Sequence, residues 1–129
     1  MATYNLGKTR TFLAGEDLSA AQYHFVTLEA DGFVDLADAD AEKCIGVLCN
    51  SPDSGEAATV ALDGRVLVEA GGAITAGDEV VTNAAGEAVE LTTSSSATAV
   101  TMGYALEDGV DGQIIAIELI QGGNATNQS

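Results

Sequence analysis

Apolar residues along this chain come in short runs, and between the runs stand Gly, Asp and Asn. Within a run, apolar and polar positions often alternate, which is the period of a half-buried strand. The pattern predicts strands at "YHFVTLE" (23–29), "FVDL" (33–36), "CIGVL" (44–48), "AATVAL" (57–62) and "RVLVEA" (65–70). Further strands are expected at "EVVTN" (79–83), "AVEL" (88–91), "TAVTMGYAL" (98–106) and "QIIAIELI" (113–120). "ADG" (30–32) and "LDGR" (62–65) read as tight hairpins, because Asp-Gly supplies the positive φ angles such turns need. Helix is scarce: "EDLSAAQ" (16–22) offers one turn at most.

The pattern repeats. "AGEDLSAAQYHFVTLEADGFVDLA" (14–37) parallels "AGGAITAGDEVVTNAAGEAVELT" (70–92), with Leu18 on Ile74, Val26 on Val80, Gly32 on Gly86 and Val34 on Val89. "SGEAATVAL" (54–62) then matches "DGQIIAIEL" (111–119), placing Gly55 on Gly112, Val60 on Ile117 and Leu62 on Leu119. Two pseudo-repeats, about 14–62 and 70–119, would each supply a group of short strands. The expected fold is therefore all-β, a small β-barrel or β-sandwich of short strands that protects most of its edges by closure. Residues 1–13 are expected to form an extended N-terminal arm, 14–121 the single β domain, and "GGNATNQS" from 122 to 129 a disordered tail.

Charge adds a constraint. Twenty acidic residues face four basic ones, a formal net charge of −16. Phosphate backbones and anionic membrane surfaces both attract the opposite sign, so neither nucleic acid nor membrane is an expected partner. The charge is unevenly spread: Lys8 and Arg10 stand in residues 1–15, which hold no acid, and all the acids follow. A basic arm before an acidic body could lie on an acidic neighbour, including a second copy of the chain. With few aromatics and no Trp, the core is thin, and burial completed by oligomerisation or docking is expected.

The search for chemistry returns little. Cys44 and Cys49, in "KCIGVLC", match neither a redox nor a zinc spacing and read as reduced, partly buried thiols of a chain made in the cytosol. No apolar run approaches membrane-spanning length and no signal peptide opens the chain. His24 is the single imidazole, too little for a nucleophilic triad or an imidazole-rich metal site, and reads as a packed or rim residue. "DLADADAEK" (35–43) has Asp at alternate positions but lacks the Gly and the distal Glu of a calcium loop. It reads as a solvated acidic loop with at most weak divalent binding. Neither Lys8 nor Lys43 sits in the tight hairpin that a lipoyl or biotinyl carrier requires, and no cofactor, catalytic residue or enzymatic activity is expected.

The order of phrases does point somewhere. "AGEDLSAAQYHFV" (14–26), "ADGFVDLA" (30–37), "CIGVLCNSPDSGEAATVAL" (44–62) and "GRVLVEAGGAITAGDEV" (64–80) follow one another in a succession that resembles the capsid cement, or head decoration, proteins of tailed bacteriophages. The resemblance spans about residues 12–120. It implies a structural virion protein on the outer surface of an icosahedral head, bridging subunits of the major capsid protein. On the residues' own reading, Lys8, Arg10 and Phe12 of the basic arm are the expected contacts with the capsid or a neighbouring subunit. A homo-oligomer, a homotrimer at local threefold positions, is the implied assembly. The rival is a phage surface or tail-associated receptor-binding β module.

Overall fold

The computed structural model describes residues 9–40, 42–91 and 100–120, and these form ten strands with no helix among them. The first half holds β1 (Thr9–Ala14), β2 (Phe25–Leu28), β3 (Phe33–Leu36), β4 (Gly46–Leu48) and β5 (Ala57–Ala61). The second holds β6 (Gly64–Glu69), β7 (Glu79–Thr82), β8 (Ala88–Glu90), β9 (Gly103–Ala105) and β10 (Ile114–Leu119). The first five close into a barrel in the order β1-β3-β2-β4-β5, and the second five form a sheet in the order β6-β10-β9-β7-β8. Read around the ring, these are the same order. The all-β class expected from the sequence, a small barrel or sandwich of short strands, is observed as one closed five-stranded barrel joined to a second five-stranded sheet.

The correspondence extends to register. Leu13↔Ala57 recurs as Glu69↔Ile114, Val26↔Leu36 as Val80↔Glu90, Phe25↔Val47 as Glu79↔Tyr104, and Val47↔Ala61 as Tyr104↔Glu118. The parallel pair Ala14↔Val34 that closes the barrel survives in the second half as one bridge, Ala70↔Ala88. Loop hydrogen bonds repeat too: the Tyr23 N–H donates to the Leu48 carbonyl and the Gly77 N–H to that of Ala105, each at 2.8 Å. Gly77 has φ +92°, whereas its counterpart Tyr23 holds φ +72° with a bulky side chain, a conformation that costs an L-residue on the order of 1–2 kcal/mol. Glycine is required where strands approach most closely. A Cβ on Gly46 would overlap the Ala61 carbonyl oxygen, and one on Gly103 would overlap that of Glu118.

Two expectations change. "LDGR" is no hairpin: Gly64 takes φ +91°, but β5 is already flanked by β1 and β4, and β6 pairs with β10. The turn instead hands the chain from one half to the other. Residues 9–13, placed in an extended arm by their polar character, are strand β1, which pairs along its length with β5 and meets β3 at its end. The barrel closes through backbone hydrogen bonds that make no demand on side-chain polarity, so "TRTF" carried no alternation to read. Residues 1–8, the Ser/Thr tract at 92–99 and the tail from 121 lie outside the described residues.

Two clusters form the core. Ala14, Leu18, Val26, Val34, Leu48, Val60 and neighbours fill the first barrel. The larger cluster joins the halves: Phe25, Val47 and Ala61, from the outer face of the first barrel, pack with Val66, Val68, Val80, Ile115 and Ile117 of the second half. The repeat shows why the halves dock this way. The row Phe25–Val47–Ala61 is apolar and buried, while the equivalent row Glu79–Tyr104–Glu118 is polar and exposed.

Candidate functional site

Three surfaces stand out, and β1 bears the first. Arg10 is exposed, and Phe12, two residues on and on the same face by strand alternation, is half-buried against the first barrel's core. Arg10 is thus open to solvent, whereas Phe12 also supports the fold. Lys8 falls outside the described residues.

The second surface was not singled out from sequence. On the outer face of the second half, Leu67 and Ile114 lie diagonally across the β6–β10 ladder, and the Leu106 N–H donates to the Ala116 carbonyl between them. All three side chains are exposed, and Tyr104 stands further along the same sheet. At equivalent places the first half carries Thr11, Ala57 and Cys49. The signal was present in "RVLVEA" and "QIIAIELI", where apolar residues occupy positions that alternation would leave polar. Periodicity alone does not separate a barrel's buried face from an interface, since both are apolar.

The third surface is an open acidic groove lined by Glu16, Glu29, Asp35, Asp38 and Glu42, with Lys43 at its side. Burial, reinforced by repulsion from Glu16, Glu29, Asp31 and Asp38, raises the Asp35 pKa above its ordinary value, and its Oδ1 has no hydrogen-bond partner among the described residues. The other carboxylates shape backbone. Glu42 accepts from the N–H groups of Asp38 and Ala39 at 2.7 and 3.1 Å, and Glu16 accepts from that of Leu36 at 2.9 Å. Among the described residues, the 35–42 loop brings no three potential ligands together.

Neither thiol is a nucleophile in waiting. Cys44 is buried, and desolvation, aided by the Glu42 charge, pushes its pKa up to about 12. Cys49 is raised in the same direction, again chiefly by burial. His24 lies just before β2 rather than within a strand, at the seam between the halves.

The family model described as phage cement protein matches residues 9–119. The chain belongs to the phage cement protein family. No curated protein matches it. Among solved structures it is similar in fold to the head fibre gp8.5 N base of bacteriophage phi29, with a TM-score of 0.66, 22% sequence identity, and coverage of 88% of this chain and 93% of that one.

Proposed function

We propose that this protein binds the outer surface of an icosahedral phage head and stabilises it by bridging subunits of the major capsid protein, without enzymatic activity. The family match across 9–119 carries this reading, and a neighbour named as a head fibre base agrees with it. Clamping requires contact area rather than catalysis. Exposed Leu67, Leu106 and Ile114 supply desolvable surface, and exposed Arg10 on β1, with Lys8 two residues before it in sequence and Phe12 beside it, supplies positive charge on a strongly acidic molecule. Repetition by capsid symmetry would multiply weak contacts into stable attachment, and a homotrimer at local threefold positions fits that logic.

Co-sedimentation with expanded heads that lack the protein tests the reading. Saturable binding at a whole number of copies per capsid subunit is expected, and the ratio identifies the symmetry site. Deleting residues 2–8, which leaves β1 intact, and Arg10→Glu should each weaken binding about tenfold, and Ile114→Asp should do so as well. Undiminished binding by the first two removes the arm from the contact. A folded protein that ignores heads but binds host cells or glycans would be a receptor-binding module instead.

A further inference from the structure

We propose that His24, Glu69 and Glu87 form a site for one borderline divalent transition ion, of the Zn²⁺ or Co²⁺ class, that pins the first half of the molecule to the second. Their ligating atoms all lie within 4.8 Å of one another, and His24 Nε2 is 3.8 Å from Glu69 Oε1. Metal–ligand bonds of roughly 2.0–2.2 Å set tetrahedral ligands about 3.4 Å apart, so small rotations of two Glu side chains would complete the geometry.

The imidazole is oriented for this role. His24 Nδ1 lies 3.0 Å from the Gln22 carbonyl oxygen. A carbonyl only accepts, so the shared proton sits on Nδ1, and in the neutral imidazole Nε2 turns its lone pair toward Glu69. A ligating histidine is characteristically held through its other nitrogen in this way. The backbone is fixed on both sides of His24: the Tyr23 carbonyl accepts from the Glu69 N–H at 2.8 Å, and the Phe25 N–H donates to the Gly86 carbonyl, next to Glu87, at 2.7 Å. Glu87 is itself held, its Oε1 accepting from Asn83 Nδ2 at 3.1 Å.

The repeat supplies an independent argument. Leu13 and Phe33 are partners in the parallel β1–β3 register, one step before Ala14↔Val34. One step before the equivalent bridge Ala70↔Ala88 stand Glu69 and Glu87. Where the first half puts two apolar side chains, the second puts two like charges side by side, an unfavourable arrangement that a cation between them would relieve. A nitrogen donor with two carboxylates suits a borderline ion better than Ca²⁺ or Mg²⁺, which take oxygen ligands. The site is partly open, with side-chain exposures of 12% for His24 and 29% for Glu69, leaving room for a water as fourth ligand.

The test is calorimetric titration of the full chain, stripped with a chelator, using Zn²⁺, together with the visible absorption of the Co²⁺ form. One ion per chain is expected, with a tetrahedral Co²⁺ spectrum. Zn²⁺ at a hundred times its Kd should raise the Tm by about 10 °C. His24→Ala and Glu87→Gln should each weaken affinity 100-fold or more. Glu87→Gln keeps the side chain's size and the seam's backbone, so it serves even if His24→Ala fails to fold. Absence of Zn²⁺ binding would overturn the proposal and leave His24 as an ion-pair partner of Glu69. Affinity untouched by Glu87→Gln would overturn it by placing the ion elsewhere, as would Ca²⁺ binding as tightly as Zn²⁺.

Discussion

Replacing Phe25 with Ala should separate the two halves energetically. Phe25 is fully buried and is the largest such side chain among the described residues. It projects from the first barrel into the cluster dominated by the second half, so its ring is shared by both. Phe→Ala truncation at a site of this kind costs about 3–5 kcal/mol, of a total stability of roughly 5–15 kcal/mol for a domain. At about 4 °C per kcal/mol for a chain of this length, the Tm should fall by about 12–20 °C. Thermal and urea unfolding followed by circular dichroism would give both numbers. The variant should also lose cooperativity, giving probe-dependent transitions where the wild type gives one. Phe25→Leu, which keeps most of the volume, should lose only about 1.5 kcal/mol and remain a single transition. A loss below about 1.5 kcal/mol for Phe25→Ala would refute the assignment of Phe25 as the link between halves.

Further outcomes follow from the repeat and the buried thiol. Gly46→Ala and Gly103→Ala, each driving a methyl into a backbone carbonyl of the neighbouring strand, should both destabilise by about 3 kcal/mol or more, measured by urea midpoint; tolerance of either would place its strand pair further apart than described. Cys44 ionises near pH 9.0 when unfolded but only near 12 when folded. Its contribution is therefore complete below pH 9 and is lost as pH rises toward 12, because the unfolded chain releases the proton first. The urea midpoint of the wild type should fall more steeply between pH 8 and 10.5 than that of Cys44→Ala; parallel profiles would refute the burial argument.

Much of this molecule was legible in its sequence. Short alternating runs punctuated by Gly gave the strand class, because side chains on a strand alternate between faces whatever the partner. Internal similarity gave the two halves, and Gly32 and Gly86 do stand at equivalent positive-φ turns. The family likeness was carried by the order of several phrases, none of them diagnostic alone. β1 escaped, because closing a barrel needs only backbone donors and acceptors, which every sequence has. The Asp63–Gly64 turn was misassigned for a related reason: a turn signal states that the chain bends, not which strands then pair.

What the sequence determined by itself was local. It set which residues lie on one strand face, where φ turns positive, and the total charge. Tertiary structure decided which apolar rows became interior. Phe25, Val47 and Ala61 are buried only because a second half is packed on them, while Leu67, Leu106 and Ile114, just as apolar, remain exposed. It also brought His24 to Glu69 and Glu87, residues far apart along the chain that no spacing rule connects. Such proximity depends on the docking of two whole sheets, and that is settled by the summed burial across their interface rather than by any single segment.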